Sequence, residues 1–244
     1  MSLSRRLRSD AEQHTLSIRI PVVFLVRRSQ TTPSPLLVAL HGYGGTAAAM
    51  LHRVGQVAPS AYSIISVQGP HQHTRANRRS GAQTAVFGWG VTGDIEAARA
   101  AHTQIIDAVI RWAHRSGVCI DQEVVLTGFS ESVGLNYLYA GTHRRVSGLV
   151  AICGDLPHSD CPRLPNVLLL AGAADPLFPA PLVASRANEI RHRCSSIEVV
   201  ICEGGHEITD SMLKNASEWL AHMTAPRTAR PPFRQTHSRR RQAP

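Results

Sequence analysis

The sequence predicts a doubly wound α/β fold, a mostly parallel sheet flanked by helices, and three observations lead there. Short apolar runs of strand length recur at 36–40, 62–67, 124–127, 146–153, 167–171 and 197–202. The run 36–40 is apolar throughout, rather than alternating, which suits a strand covered on both faces, as in parallel sheets. Stretches with helical spacing stand between them, at 47–57, 94–114, 133–139, 180–193 and 208–222, and such alternation builds strand–helix–strand crossovers. Finally, 244 residues, 43% of them hydrophobic, suffice for one domain with a sizeable core plus tails.

The first fifteen residues are a basic segment carrying Arg5, Arg6 and Arg8, with no apolar region of signal-peptide length behind them. The stretch 16–26 reads as edge-strand or hairpin material, because Pro21 has no N–H for a central ladder. After a polar turn at 29–35, Leu36-Leu37-Val38-Ala39-Leu40 reads as a central strand ending at His41-Gly42-Tyr43-Gly44-Gly45. Thr46 is placed to cap the helix that follows. The strand 62–67 runs into Gln68-Gly69-Pro70, and 71–87 reads as a polar, arginine-rich loop with Arg75, Arg78 and Arg79, ahead of Gly88-Trp89-Gly90. Ile95, Ala98, Ile105, Ile106, Val109, Ile110 and Ala113 predict a long helix. The strands 146–153 and 167–171 are each followed by Gly and Asp, and the helix 180–193, strand 197–202 and helix 208–222 complete a domain spanning 16–223. No internal repeat and no second domain is visible.

The net charge of +9 suggests nucleic acid, but its location argues otherwise: six arginines and no acid fall in 227–244, two thirds of the excess. Pro226, Pro231, Pro232 and Pro244 predict that this tail (224–244) is unfolded. It reads as a solvated end, with weak polyanion binding through counterion release as the alternative. Five cysteines (Cys119, Cys153, Cys161, Cys194, Cys202) form an odd, scattered set without metal-ligand spacing, which fits reduced thiols and a cytoplasmic protein. His71-Gln72-His73 is a two-ligand fragment lacking a carboxylate or Cys partner. Neither a metal nor a cofactor is expected. No run approaches the roughly 18 apolar residues that a membrane span needs. The only lysine is Lys214, so lysine chemistry has little to work with.

The chemistry centres on 124–138. A β-branched run, Val124 to Thr127, meets a helical pattern through Gly128-Phe129-Ser130, a tight strand-to-helix crossing that would expose Ser130 as a nucleophile. A second frame, Ser130-Glu131-Ser132-Val133-Gly134, would make Ser132 the nucleophile; the strand boundary favours Ser130, with Ser132 one step into the helix as a packing residue. A serine nucleophile needs a base, and the base an orienting carboxylate. Asp175 and His206 follow later strands in Gly- and Pro-rich loops, in the order Ser, Asp, His. Their plainer readings are a turn or cap for Asp175 and a cap of the last helix for His206. Asp155 competes with Asp175 as the acid. A tetrahedral intermediate needs two backbone donors; the amides of Glu131 and Tyr43 are the candidates. A phosphate-cradling role for the glycines at 42–45 is excluded, because no Gly-Lys-Ser/Thr follows.

These segments resemble the α/β-hydrolases of the phospholipase/carboxylesterase branch, which includes acyl-protein thioesterase-like and dienelactone-hydrolase-like members. The matching residues are Leu40 to Gly45, Gln68-Gly69-Pro70, Gly88-Trp89, Leu126 to Ser130, Ala171 to Pro179 and Gly204-Gly205-His206-Glu207. The resemblance implies a serine hydrolase of short- to medium-chain carboxylic esters or thioesters with Ser130, Asp175 and His206 as its triad, and it places Trp89 in the acyl pocket, an ordinary core aromatic being the alternative. Where the family carries Gln-Gly after the serine, this chain has Glu131-Ser132. A side chain at Ser132 is expected to loosen the oxyanion geometry, and Glu131 to disfavour anionic substrates unless its carboxylate points to solvent. That departure also supports a second class of reading, a catalytically weak or inactive binding protein on the same scaffold.

Overall fold

A strand that is apolar at every position must be covered on both faces, and the central strands of the seven-stranded sheet are, while its two edge strands are partly exposed. The structure is a computed structural model and describes residues 14, 16, 18–31, 33–76, 80–90, 94–119, 123–156 and 163–224. In chain order the elements are β1 (Phe24–Arg27), β2 (Leu36–Leu40), α1 (Ala47–Val57), β3 (Ser63–Val67), β4 (His71–Ala76), β5 (Gln83–Gly88), α2 (Ile95–Arg115), β6 (Val124–Phe129), α3 (Glu131–Ala140), β7 (Val146–Ile152), β8 (Leu164–Gly172), α4 (Ala180–Ile190), β9 (Cys194–Cys202) and α5 (Asp210–Thr224).

The sheet runs β1-β3-β2-β6-β7-β8-β9, parallel except for β1, which pairs antiparallel with β3 at one edge. Alternation along each strand splits the core in two. Leu36, Val38 and Leu40 face the helices α2, α3 and α4. Leu37 and Ala39 face α1 and α5. Each fully buried leucine contributes about 1.5–3 kcal/mol of transfer free energy, so a one-residue slip would exchange both faces and is heavily disfavoured. Two helices start where the sequence offers caps: Thr46 Oγ1 accepts Ala49 N–H at 3.1 Å, and Asp94 Oδ1 accepts the Glu96 and Ala97 amides at 3.0 and 3.1 Å. The strand order reverses between β2 and β6, so the loops leaving these two strands diverge and open a crevice beyond their C-terminal ends.

Several expectations change. The segment 71–87 contains a hairpin, β4 and β5 paired from His71↔Gly88 to Ala76↔Gln83. Its first strand is polar on both faces, so no apolar alternation marks it; pairing with β5, and the bridge from Phe87 to Gly45, decide its shape. Arg78 and Arg79 lie outside the described residues. Among the described residues of 16–26, strand begins at Phe24, with Pro21 ahead of it. The last two sheet strands begin earlier than predicted, at Leu164 and Cys194, because their first residues pair with each other, Leu164 with Cys194 and Asn166 with Ser196. The helix predicted over 180–193 ends at Ile190 and closes with a 3₁₀ turn, Arg191–Arg193. Cys161, the first thirteen residues and most of the tail lie outside the described residues. No described helix is long and apolar enough to cross a membrane. No group of three or more His, Cys, Asp or Glu among the described residues is placed to hold a metal.

Candidate active site

The crossing from β6 to α3 forces Ser130 to φ 55°, ψ −115°, a left-handed backbone that a residue with a Cβ adopts only under constraint. Two bonds impose it: Ser130 N–H donates to Ile152 O at 3.0 Å, and Ser130 O accepts from Val133 N–H at 3.0 Å. Missing side chains make room. A Cβ on Gly154 would collide with Val133, and one on Gly128 would lie 2.7 Å from Asn136 Nδ2 and 2.8 Å from Ser132 Oγ. Ser132 is fully buried. Its hydroxyl accepts Phe129 N–H at 3.1 Å and stands 3.1 Å from both Leu40 O and Phe129 O, one of which receives its proton. It therefore ties the start of α3 to β2 and to the elbow, turned away from the crevice.

The structure brings Ser130, Asp175 and His206 together. His206 Nε2 lies 2.8 Å from Ser130 Oγ, and His206 Nδ1 lies 2.9 Å from Asp175 Oδ2. A carboxylate only accepts, so Nδ1 carries the proton and Nε2 is left to accept the serine O–H. Asp175, in the turn after β8, is 4% exposed. Its other oxygen accepts the Leu177 and Phe178 amides at 2.8 and 3.0 Å, which fixes the side chain by local turn geometry. Burial works to raise this carboxyl's pKa, but the Phe178 amide, His206 and the Leu177 amide outweigh it, and the pKa lies below the ordinary value. The His206 ring is flanked by Phe129 and Phe178, with centroids 5.1 and 5.6 Å away. Asp155, the competing acid, instead points an oxygen to within 3.9 Å of Arg186.

The loop after β2 is stitched to the hairpin. Gly44 N–H donates to Phe87 O at 2.8 Å, Phe87 N–H to Gly45 O at 3.1 Å, and Gly45 N–H to Gly42 O at 3.0 Å. These bonds commit the amides of Gly44 and Gly45 and leave Tyr43, 59% exposed, at the tip of the turn. The Glu131 amide opens α3, where the first N–H groups have no helical carbonyl to bond. Its carboxylate is not simply out in solvent: Oε2 accepts Trp89 N–H at 3.0 Å and so holds the chain leaving β5. Trp89 is 2% exposed, and its indole N–H donates to His41 O at 2.8 Å. It braces the loop from the core and does not line the crevice beside His206.

Sequence reasoning gave three neighbouring residues no role. His41, buried behind the loop, donates from Nδ1 to Gly42 O at 2.8 Å, and its Nε2 accepts Gly69 N–H at 3.0 Å, which joins the loop to the segment after β3. Because Nε2 accepts an N–H it carries no proton, and desolvation, which lowers the ring's pKa, works in the same direction. The spacing of His41 to Gln68-Gly69 was a legible signal only beside the sheet order. Cys153 has φ 47°, and its thiol points at Glu207 O, 3.5 Å away, beside His206; burial pushes its pKa up to about 11. Arg53 emerges from α1 on the helical face shared with Thr46, Ala49 and Met50. All four, with the glycine loop, Phe129 and His206, line a cavity of about 340 Å³.

A family model described as Phospholipase/Carboxylesterase matches residues 23–224. Among solved structures, the Bacillus cereus carboxylesterase superposes with a TM-score of 0.64 at 18% identity, over 82% of this chain and 93% of that one. A carboxylesterase from Mesorhizobium loti does so with 0.60 at 22% identity, covering 77% and 88%. Arabidopsis thaliana SOBER1 gives 0.59 at 17% identity, covering 77% and 98%. At such identities the likeness is one of fold. No curated protein matches the sequence.

Proposed function

Because the chain belongs to the phospholipase/carboxylesterase family, we propose that it is a serine hydrolase of short- to medium-chain carboxylic esters or thioesters, acting through an acyl-enzyme on Ser130 and needing no cofactor. The observation that carries this reading is the unbroken series Asp175–His206–Ser130, with contacts of 2.9 and 2.8 Å, on a strained elbow at the crevice.

His206 Nε2 takes the Ser130 proton as Oγ attacks the ester carbonyl. Asp175, ionised and held by two amides, keeps Nδ1 protonated and stabilises the imidazolium that forms. The amides of Tyr43 and Glu131 receive the oxyanion; in comparable sites each such donor supplies about 3–4 kcal/mol to the transition state. The imidazolium then protonates the departing alcohol or thiol, and water, activated by the same ring, releases the acid. A cavity of about 340 Å³ beside His206 favours small substrates. The chain's own departure at Glu131 is compatible with this: its carboxylate is engaged with Trp89 N–H while its amide opens the helix.

A fluorophosphonate probe tests the reading. It should label the protein once, with the label mapping to the peptide containing Ser130, and Ser130→Ala should abolish labelling. Absence of labelling in the folded wild-type protein would refute it.

A further inference from the structure

Strand alternation puts His71, His73 and Arg75 on one face of β4, and that face lies along the glycine loop. The His73 ring sits 5.1 Å from the Tyr43 ring. The Arg75 guanidinium lies against Gly44 so closely that a Cβ there would collide with it. Gly44 has φ 72°, so backbone conformation and the approach of Arg75 both require glycine. Arg53 enters the same cavity from α1. Two guanidinium groups from opposite elements thus border a small cavity whose other walls include His206 and the apolar Met50, Phe129 and Ile208.

The acids nearby leave these cations available. Arg53 faces Asp210 at 3.7 Å, but that aspartate side chain is 99% exposed, and an exposed pair of this kind is worth little and readily exchanged. Glu207 also lines the cavity, its Oε1 lying 3.4 Å from where a Cβ of Gly204 would stand, and it makes no ion pair with either arginine. No acid among the described residues forms an ion pair with Arg75. A neutral acyl group offers at most an uncharged carbonyl oxygen to two guanidinium donors, whereas a carboxylate gains stronger, charge-assisted, bidentate hydrogen bonds.

We propose that Arg75 and Arg53 form an anion subsite, and that the substrates of this site are short esters bearing a carboxylate within a few atoms of the scissile bond. This rests on the ester-hydrolase reading and narrows it. It also reverses the expectation drawn from Glu131 that anionic substrates are disfavoured: that carboxylate is drawn to the Trp89 amide, while the cavity itself is bordered by arginines.

Two pairs of esters isolate the charge: mono-ethyl succinate against ethyl levulinate for an anion in the acyl half, and acetoxyacetate against acetoxyacetamide for one in the alcohol half. Turnover is followed by pH-stat, and binding to the Ser130→Ala protein by calorimetry. In at least one pair the anionic member should show kcat/KM and affinity higher by about tenfold or more, the gain of a charge-assisted contact. The anionic-to-neutral ratio should fall by a similar factor in Arg75→Gln and further in Arg53→Gln/Arg75→Gln, both surface changes that leave the fold intact. Equal binding of both members of both pairs to the Ser130→Ala protein, or a ratio untouched by the arginine substitutions, would overturn the subsite. Charge-selective binding without Ser130-dependent turnover would leave the subsite standing and sink the hydrolase reading instead.

Discussion

Replacing Ser132 by Ala removes a hydroxyl that makes its contacts entirely within the core. The Phe129 N–H loses an acceptor at 3.1 Å, and one of the carbonyls of Leu40 and Phe129 loses a donor. A buried group left unpaired costs about 1–3 kcal/mol, and relaxation recovers part of it, so the expected loss is about 2 kcal/mol. For a domain of this size that lowers Tm by roughly 4–8 °C. The backbone of Ser130, the proposed nucleophile, is fixed by its own bonds to Ile152 O and Val133 N, so ester turnover should fall by less than about tenfold, in line with a loosened rather than dismantled site. Ser130→Ala should behave oppositely. It deletes a contact at the edge of the crevice, so Tm should move by no more than a few degrees, while turnover falls by at least about a thousandfold. Differential scanning fluorimetry and a p-nitrophenyl acetate assay on the two variants read both quantities. If Ser132→Ala abolished turnover with Tm unchanged, and Ser130→Ala kept its activity, the assignment of the two serines would be wrong.

Asp175→Asn should lower kcat by several orders of magnitude, because the amide no longer enforces the Nδ1–H tautomer of His206; kinetics on an activated ester check this. The Asp175 pKa lies below its ordinary value, so the stability it confers is complete above the unfolded value of about 4 and is lost as pH falls through the lower folded value. The Tm gap between wild type and Asp175→Asn should therefore narrow from pH 6 to pH 3; a gap that widened would contradict the direction of the shift. Glu131→Gln keeps an acceptor for Trp89 N–H and removes a negative charge from the residue whose amide is proposed to receive the oxyanion, so kcat for a neutral ester should rise by about threefold or more. An unchanged or lower kcat would show that this carboxylate does not oppose the developing charge.

Much of this architecture is legible in local sequence. The apolar runs at 36–40, 124–127 and 146–153 specify strands because nearly all their positions must be buried, and Thr46 and Asp94 mark helix starts because their oxygens can take amides that no helical carbonyl reaches. Ser130, Asp175 and His206 stand out because each follows a strand end in a turn-forming context. The β4–β5 hairpin was not legible: its residues have no apolar period, and its shape is set by Phe87 pairing with Gly45, forty-two residues away in sequence. The engagement of Glu131 with Trp89, of Ser132 with Leu40, and the entry of Arg53 and Arg75 into one cavity are likewise invisible locally, since each partner lies on a different element. The sequence by itself determined which segments become strands and helices, because period and capping are local physics. Only the tertiary structure decided which side chains meet, because the order of strands in the sheet, reversing between β2 and β6, brings the ends of distant segments to a single crevice.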